Sequence, residues 1–314
     1  METRKLGTSG LDVTLVGLGC NNFGLRIDTE ASRAVIRTAL DLGITFFDTA
    51  DVYGNRGGSE TCLGQFLGSR RKDIVLASKF GNPMDEAGTL KGFSRNYIMS
   101  AVEASLKRLR TDWIDLYQMH RFPTSPLDET LRALDDLVKQ GKVRYIGTSQ
   151  TKGWQFVDMQ WTARVNGLAP ITTCMIEYSL LAREPERELI PAMRAHGAGL
   201  LPFYPLASGF LTGKYERGHT PPPEGRITKG QRYAEKWLTD ANWDRLEHLE
   251  SFASTRGHTM LELAFSWLAA QPVVSTIIIG ATRPEQVREN AEAADVQLSA
   301  ADIEAIDAAF KGEG

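Results

Sequence analysis

Short apolar runs alternate with longer amphipathic stretches along this chain, and the alternation predicts strands and helices in regular succession. The apolar runs predict eight main strands, at residues 16–19, 44–48, 74–79, 114–120, 143–148, 172–177, 200–203 and 276–279. Apolar residues at helical spacing predict helices at residues 29–42, 59–67, 94–109, 126–140, 153–165, 185–196, 242–255, 260–270, 284–294 and 300–310. Two further short runs, 4–6 and 12–16, flank the turn Gly7-Thr8-Ser9-Gly10 and predict an N-terminal β-hairpin.

The order of these elements favours an α/β fold in which eight strands close into a (β/α)8 barrel, the TIM-barrel architecture. Parallel neighbours need helical crossovers, and near-continuous apolar strands such as Ile277-Ile278-Ile279 suit a sheet covered by helices. Without a Pro/Gly/Ser-rich linker, residues 1–314 are interpreted as a single domain. An open doubly wound sheet is the alternative, although Gly17-Leu18-Gly19-Cys20 stops short of a Gly-x-Gly-x-x-Gly motif. A long loop, residues 208–237, follows the seventh strand, and the last helix is an addition to the barrel.

Composition and charge exclude several classes of protein. The net charge of −3, with both signs interspersed, provides no long-range attraction to nucleic acid or to an anionic membrane. No apolar run reaches the ~18 residues of a membrane span, and we do not expect the polar N-terminal segment to act as a signal peptide. The three cysteines are too few and too far apart for a disulfide framework, so we expect a cytoplasmic protein with reduced thiols. No metal is expected, because the remaining histidines lack metal-ligand spacing; they are His196, His219, His248 and His258.

Four polar side chains stand at or just after the ends of predicted strands. Asp48 ends the second strand, Lys79 the third and His120 the fourth, while Tyr53 lies in the loop after the second. In a parallel barrel the carboxyl ends of all strands meet at one rim, so the four are expected to converge. Each alone has a structural interpretation: the Asp caps a helix, the Tyr anchors a loop, the Lys is solvated and the His is satisfied in the core. Their coincidence at one rim favours a catalytic site.

The chemistry of this set is that of carbonyl reduction. A phenol has a pKa near ~10, which the ammonium of Lys79 is expected to lower, and Asp48 supplies the counter-charge that a buried ammonium needs. Tyr53 then acts as a general acid toward a developing alkoxide, and His120 hydrogen-bonds the same oxygen. No side chain supplies a hydride, so a nicotinamide cofactor is required.

Longer motifs, in a fixed order, make the sequence resemble the aldo-keto reductase family. They are Phe47-Asp48-Thr49-Ala50 with Tyr53-Gly54, Ala77-Ser78-Lys79, Asp115-Leu116-Tyr117-Gln118-Met119-His120-Arg121, the segment 141–149, Glu177-Tyr178-Ser179-Leu180-Leu181, the segment 209–215 and the segment 284–290. The similarity runs from the hairpin to the last helix. The resemblance implies a (β/α)8 barrel that binds NADPH/NADP+ in extended form without a Rossmann domain. It also implies that Asp48, Tyr53, Lys79 and His120 are the catalytic residues.

The resemblance further implies a set of cofactor contacts. Ser149 matches a serine that contacts the nicotinamide carboxamide, and Gln150 and Met175 stand where relatives often have asparagine and glutamine. Phe203 aligns with the aromatic residue that stacks on the nicotinamide ring, and a phenyl face can still stack. The remaining implied contacts are Tyr204, Leu206, Gly209, Lys214, Arg226, Gly280 and Gln286, with Glu289 and Asn290 at the adenine.

The resemblance implies that the basic residues of this set bind the phosphate on the adenosine part of the cofactor. Many relatives carry a basic residue after the eighth strand, where this chain has Ile279-Gly280-Ala281-Thr282. Lys214 and Arg226 resemble a pair in the potassium-channel β-subunit branch, in which a long loop folds over the cofactor, and residues 208–237 match that loop. The resemblance therefore implies NADPH rather than NADH.

The substrate pocket is expected to include Asn21, Phe23, Phe80 and Arg121, which follow the first, third and fourth strands. A phenylalanine wall with Asn and Arg suggests a small aldehyde or ketone with a polar or anionic end. Arg26 and Arg121 would bind a phosphate or carboxylate at that end in a bidentate manner. The alternative is that Arg121 pairs with a neighbouring acid and does not touch the ligand.

The predicted function is NADPH-dependent reduction of such a carbonyl group to an alcohol. Two alternatives stay open. One is a redox-sensing NADP(H)-binding regulatory subunit with slow turnover. The other is a sugar or polyol dehydrogenase in which Tyr53 acts as a base. The sequence also leaves open whether the protein forms a homo-oligomer.

Overall fold

The computed structural model describes residues 1–223 and 225–309 of the chain. Its strands are β1 (Thr3–Lys5), β2 (Asp12–Thr14), β3 (Val16–Gly19), β4 (Phe46–Asp48), β5 (Val75–Phe80), β6 (Ile114–Met119), β7 (Val143–Ser149), β8 (Ile171–Glu177), β9 (Gly199–Phe203) and β10 (Ile277–Gly280). Its helices are α1 (Thr29–Asp41), α2 (Tyr53–Phe66), α3 (Arg95–Leu109), α4 (Leu127–Lys139), α5 (Gly153–Val165), α6 (Leu189–Ala195), α7 (Arg226–Lys229), α8 (Gln231–Trp237), α9 (Asp240–Thr255), α10 (Met260–Ala269), α11 (Pro284–Ala294) and α12 (Ala300–Ala309). Each predicted strand therefore has a counterpart, with its ends shifted by at most about two residues.

The eight main strands form one parallel sheet in the order β10-β3-β4-β5-β6-β7-β8-β9. Neighbours along the chain are also neighbours in the sheet, as in a barrel and unlike a doubly wound sheet, whose strand order reverses. The sheet nearly closes, because β9 contacts the segment before β10. The Leu200 amide donates to the Val273 carbonyl oxygen (2.8 Å), and the Ser275 amide donates to that of Leu200 (3.0 Å). The predicted barrel with an N-terminal hairpin is confirmed.

Apolar side chains fill the barrel and cover its outside, as a buried parallel sheet requires. One cluster, which includes Phe46, Ala77 and Leu116, comes from one face of the strands. Leu6 and Val13 of the hairpin belong to the same cluster, and the neighbouring Gly7 amide donates to Ser275 Oγ just before β10. The hairpin therefore plugs the end at which the strands begin, which leaves the carboxyl ends for a site.

Short helices and turns account for the largest differences from the predicted elements. The long connection after the seventh main strand contains the 3₁₀ helix Ala207–Thr212 and the helices α7 and α8. Elements of four to seven residues are too short to show a helical period in the sequence. The predicted helix 185–196 is divided into a 3₁₀ turn, Glu184–Glu186, and α6. Phe310, predicted as the end of the last helix, lies outside the described residues.

The described part of the chain contains neither a membrane-spanning helix nor a metal cluster. None of its helices combines the length and the apolar character that a membrane span needs. Among residues 1–223 and 225–309, no three His, Cys, Asp or Glu side chains are placed to hold a metal ion. Cys20, Cys62 and Cys174 are buried free thiols.

Candidate active site

Strand geometry brings Asp48, Lys79 and His120 to one end of the barrel. Asp48 is the last residue of β4, Lys79 lies near the end of β5, and His120 directly follows β6. In the parallel register Asp48 is level with Ala77, and Lys79 is level with Gln118. All three side chains therefore come from the carboxyl rim, where barrels of this kind place catalytic groups.

A left-handed turn positions Tyr53 above this rim. Residues 54–57 have φ values of 68°, 57°, 68° and 115°, so the right-handed part of α2 begins only after them. A Cβ on Gly54 would lie 2.4 Å from the Ser59 amide nitrogen and 2.5 Å from the Phe23 carbonyl oxygen. Only glycine fits there, and the two non-glycine residues of the turn cost roughly 1–2 kcal/mol each in backbone energy. The strained turn therefore fixes the position of Tyr53, the residue that precedes it.

The Lys79 ammonium is fully buried, and Asp48 neutralises it. Its Nζ donates to both Asp48 carboxylate oxygens (2.6 and 2.7 Å) and to the Thr49 carbonyl oxygen (2.9 Å). Gln118 Nε2 donates to the same carboxylate at 3.2 Å. Burial lowers the pKa of Lys79, but Asp48 and Tyr53 together raise it by more, and the net shift is upward. The lysine therefore keeps its charge at neutral pH.

The Tyr53 hydroxyl lies beside this ammonium, 3.5 Å from Lys79 Nζ. Burial raises the pKa of Tyr53, Lys79 lowers it and Asp48 raises it again, and the net shift is upward. Lys79 thus acts on this pKa in the expected direction, but desolvation of the phenolate, which the sequence analysis did not weigh, outweighs the attraction of the ammonium. Tyr53 consequently keeps its proton at neutral pH.

His120 is a neutral imidazole next to Tyr53. The two rings pack edge to face, with 5.6 Å between their centroids. Burial, and then the charges of Lys79 and Arg121, lower the pKa of His120 to about 3. Its Nδ1 is buried, with no hydrogen-bond partner in the described ranges, while Gln150 Nε2 donates to its carbonyl oxygen at 3.3 Å. His120 can therefore take part in a hydrogen bond without carrying charge.

A cavity of about 920 Å³ opens above Tyr53 and His120 and reaches α11. This volume lies at the upper end of the range for small-molecule sites. Lys79 is fully buried and does not line the cavity. Asp48 and Tyr53, to which it is hydrogen-bonded, do line it. The cavity is lined by all the residues that the resemblance implies for the cofactor: Ser149, Gln150, Met175, Phe203, Tyr204, Leu206, Gly209, Lys214, Arg226, Gly280, Gln286, Glu289 and Asn290.

Lys214 and Arg226, expected as a pair, both line this cavity and have different neighbours there. The Arg226 guanidinium lies 5.1 Å from the centre of the Tyr204 ring, and its Nη2 is 3.5 Å from Asn22 Oδ1. Lys214 lies instead near Arg283: burial, and then the charge of Arg283, lower the pKa of Lys214. The two cations therefore have different neighbours in the cavity, Gly209 for Lys214 and the Tyr204 ring for Arg226.

Residues 15–311 match the model of the aldo/keto reductase family. The chain belongs to this family. It is 37% identical over 306 residues to a probable voltage-gated potassium channel subunit beta of Arabidopsis thaliana, covering 94% of this chain and 92% of that protein. It is 35% identical over 326 residues to the uncharacterized oxidoreductase YrpG of Bacillus subtilis (strain 168), covering 100% and 97%. It is 35% identical over 305 residues to an L-glyceraldehyde 3-phosphate reductase of Escherichia coli (strain K12), covering 93% and 87%. The predicted family is confirmed, and membership of this family supports the prediction that the protein is an oxidoreductase.

Two residues expected in the substrate pocket of this aldo/keto reductase belong instead to its core. Phe23 and Phe80 are fully buried and do not line the cavity. Because side chains alternate along a strand, Phe80 points away from the side of Lys79, and its ring stacks on Tyr117 at 4.7 Å. Phe23 packs in the outer core next to the Gly54 turn. The expected phenylalanine wall of the pocket is therefore wrong.

The two polar residues of the expected pocket have different positions. Asn21 lines the cavity. Arg121 is exposed outside it and donates to the side-chain oxygen of Asn82, which does line the cavity. The partner of Arg121 is thus an amide and not the acid considered from the sequence.

The cavity of the aldo/keto reductase also includes residues that the sequence analysis missed. They include Asn82, Arg232, Tyr233, Lys236, Thr282 and Arg283. Three of these come from α8, which the sequence did not indicate. Arg283 directly precedes Pro284, the first residue of α11. Proline is common at the first position of a helix, so the sequence did contain a signal that Arg283 lies at a helix start.

Proposed function

We propose that this aldo/keto reductase uses NADPH to reduce the carbonyl group of a small aldehyde or ketone to an alcohol. The observation that carries the proposal is the 3.5 Å contact between the Tyr53 hydroxyl and Lys79 Nζ, at the floor of a cavity of about 920 Å³. An acid next to a fixed cation is suited to protonating a carbonyl oxygen as negative charge develops on it. When bound, NADPH supplies the hydride that no side chain provides.

Tyr53 donates its proton to the carbonyl oxygen as the carbon–oxygen double bond becomes single. Its raised pKa keeps the hydroxyl protonated beforehand, and the Lys79 ammonium stabilises the phenolate that remains. Asp48 holds the ammonium in place through two hydrogen bonds. Neutral His120 hydrogen-bonds the carbonyl oxygen and keeps it near the phenol, and the phenolate then regains a proton from solvent.

The lining of the cavity fits a bound dinucleotide. Ser149 and Gln150, at the end of β7, would hold the nicotinamide carboxamide, and the Phe203 ring would stack on the nicotinamide. Lys214 and Arg226 would meet phosphate groups. We expect a higher kcat/KM with NADPH than with NADH, and a clear preference for NADH would overturn this choice. The buried free thiols suit the reducing cytoplasm, where we propose that the protein acts.

The polar and cationic lining of the cavity supports a small substrate with a polar or anionic end. Asn21, Arg26 and Arg232 line it, and arginine binds phosphate and carboxylate groups in a bidentate manner. One similar protein is named L-glyceraldehyde 3-phosphate reductase, and a short phosphorylated aldehyde of that kind would match these arginines. We therefore propose glyceraldehyde 3-phosphate as the first substrate to assay, within a panel of short aldehydes.

The Tyr53→Phe variant tests the proposal, because it removes the proton and keeps the ring. We expect kcat to fall by roughly 10²- to 10⁴-fold, while the Kd for NADPH stays within about twofold by fluorescence titration. Tyr97→Phe is the matched control, since the Tyr97 hydroxyl is buried, has no hydrogen-bond partner in the described chain and lies outside the cavity. Wild-type turnover in Tyr53→Phe would refute the assignment.

A redox-sensing regulatory subunit is the second candidate function, favoured by the similarity to a protein named as a probable potassium channel subunit beta. A sensor needs a tightly held cofactor more than rapid chemistry. It would copurify with NADP(H) and turn over well below ~1 s⁻¹ with every aldehyde of the panel, whereas metabolic enzymes commonly exceed that rate. Copurified cofactor and single-turnover rates would therefore separate the two functions.

A further inference from the structure

The outer side of α5 is apolar, although it points away from the barrel. Four side chains at spacings of three and four residues share it, and we define them as the α5 face: Trp154, Val157, Trp161 and Val165. They are four of the eight large apolar side chains that are exposed in the described part of the chain, and the two tryptophans are 58% and 61% exposed. Apolar residues scattered singly over a surface are normal, whereas a contiguous patch on one helix indicates an interaction site.

The inner side of α5 is apolar as well. Phe156 and Met159 are buried in the core between this helix and the barrel. A surface helix ordinarily combines one apolar side with one polar side, as the neighbouring α4 does with Asp128 and Arg132 exposed. A helix that is apolar on both sides is typical of a helix that is buried on both sides. The barrel covers one side of α5, so the composition of this helix indicates a second surface against the α5 face.

The α5 face is held in place at the end where the helix begins. The centroid of the Trp154 ring lies 5.6 Å from that of Phe122, a half-buried residue two positions after His120. The face therefore starts beside the catalytic rim. A ring that already packs against a neighbour loses little conformational freedom when a second protein covers it, and tryptophan is enriched among the residues that dominate binding energy.

The order of large and small side chains suits a second copy of this chain. A two-fold axis perpendicular to α5 brings the same face of both copies together, with the two helices antiparallel. When the axis passes through the middle of the face, Val157 of one copy lies opposite Trp161 of the second copy, and Trp154 lies opposite Val165. Each large ring then meets a small side chain, which is the alternation that close packing requires.

The charge of α5 favours the same occupant. Its charged residues are Asp158 and Arg164, which are both exposed and opposite in sign. A face without net charge does not repel an identical copy of itself. The helix also lacks the cluster of basic residues with which an amphipathic helix binds an anionic membrane.

The area of the α5 face agrees with that of a two-fold interface. Since a tryptophan side chain has an area of about 150–250 Å², the two rings expose roughly 180–300 Å² together. With the valines the face reaches roughly 300–450 Å², and a two-fold contact buries it twice. The resulting total of roughly 600–900 Å² compares with the apolar part of specific interfaces, which bury about 1,200–2,000 Å² and are about 56–65% apolar. We infer that two copies of this chain associate through the α5 face, with Val157 opposite Trp161.

Sedimentation velocity at about 1–200 μM protein tests this inference, because the range covers complexes of weak and moderate affinity. We expect wild type to change from monomer to dimer with a Kd in the micromolar range, and high salt should leave this Kd within about threefold, since apolar contacts are not screened. Trp161→Arg should raise the Kd at least about 100-fold, because the two-fold axis buries the new charge twice.

Leu42→Arg is the matched control, since Leu42 is also an exposed apolar residue and should leave the Kd unchanged. It ends α1, between β3 and β4, on the opposite side of the barrel from α5, which lies between β7 and β8. Trp161 is exposed in the single chain, so circular dichroism should show the same fold for both variants.

A mixture of two variants tests the register of the pair. Val157→Asp and Trp161→Arg should each weaken self-association, but one copy of each places the new carboxylate opposite the new guanidinium. We expect the mixture to form a dimer with a Kd at least about 10-fold below that of either variant alone. A mixture no stronger than its components would overturn the proposed register.

Two further results would overturn the inference in distinguishable ways. Wild-type protein that stays monomeric at the highest concentration would exclude a second copy and leave the α5 face to a different protein. A wild-type dimer that Trp161→Arg keeps at full strength would show that the two copies associate through another surface.

Discussion

The Nζ atom of Lys79 lies 3.5 Å from the hydroxyl oxygen of Tyr53 and 4.9 Å from the centre of its ring. One ammonium therefore faces both the oxygen and the π electrons of the same phenol. The contact with the ring is favourable in either protonation state, whereas the contact with the oxygen gains strength when the proton leaves. This difference is what a general acid needs, because the stabilisation grows along the reaction.

Replacing Lys79 by methionine keeps the length of the side chain and removes its charge. We expect Lys79→Met to lower kcat at least about 100-fold, because the phenolate loses its cation. The free energy of unfolding should fall by about 3–5 kcal/mol, because the buried Asp48 carboxylate loses its counter-charge. Steady-state kinetics and urea unfolding at pH 7 measure the two effects.

The double variant Asp48→Asn/Lys79→Met separates charge balance from catalysis. With both charges removed, most of the lost stability should return, while turnover stays as low as in Lys79→Met. A double variant as unstable as the single variant would show that altered packing, and not the unpaired carboxylate, causes the loss.

The neutral state of His120 gives a prediction for acid solutions. Its pKa in the folded protein is about 3, against ~6.5 in an unfolded chain, so the unfolded state binds a proton first as the pH falls. Stability present above pH ~6.5 should therefore be lost as the pH drops toward 3. Between pH 6.5 and 5, wild type should lose up to about 2 kcal/mol more than His120→Asn, measured by urea unfolding. Equal losses in the two proteins would contradict a neutral, buried imidazole.

Asp51 gives a prediction of the opposite sign. Its side chain is buried, and neither carboxylate oxygen has a well-formed hydrogen bond in the described residues. Burial, and then the charge of Glu60, raise its pKa to about 8, which Arg108 and the Val52 amide offset only in part. Below the unfolded pKa of ~3.9 the group costs nothing, and stability falls as the pH rises from there toward 8.

The Asp51→Asn variant should therefore gain stability over wild type as the pH rises, by up to about 4 kcal/mol at pH 7. The exposed Asp112→Asn change is the control, and it should leave the pH dependence as it is. Urea unfolding at pH 4, 5.5 and 7 decides the matter, and parallel curves for wild type and Asp51→Asn would exclude a buried, protonated Asp51.

Local pattern was enough to predict the strands and the catalytic rim, because both depend on residues close in sequence. Asp48 and Lys79 end short, predominantly apolar runs, and parallel pairing of their strands then places them side by side. The same pattern, applied with period two, would have turned Phe80 outward, since its neighbour Lys79 faces Asp48. The error lay in assuming that every residue after a strand faces the pocket.

The cofactor region depends on contacts between segments far apart in the chain. Its individual residues came from the resemblance, and no local signal could show that Lys214 lies against Gly209 while Arg226 lies over the Tyr204 ring. The direction of the net shift in the pKa of Tyr53 could not be predicted from the sequence either, because it depends on how deeply the phenol is buried. Local patterns thus predict which residues reach the site, and tertiary packing determines which of these residues contact one another there.

Gly54 offers a test of how the backbone holds Tyr53. Gly54→Ala adds a methyl group 2.4 and 2.5 Å from two backbone atoms, in addition to the strain of a φ of 68°. Backbone cannot move aside as a side chain can, so the turn must shift, and Tyr53 with it. We expect kcat to fall at least about 10-fold, because displacement by about 1 Å suffices for such losses, while the barrel stays folded.

The matched control is Gly257→Ala, at a glycine whose φ of 71° is similar but whose Cβ would meet nothing within 4 Å. This change should cost about 1–2 kcal/mol of stability from backbone strain alone and leave kcat unchanged. Circular dichroism establishes the fold of both variants, and steady-state assays with the best aldehyde give kcat. Equal kcat in Gly54→Ala and wild type would mean that the close approach to Ser59 and Phe23 does not position the phenol. The proton donor would then depend on its ring contacts with His120 and Lys79 instead of on the left-handed turn.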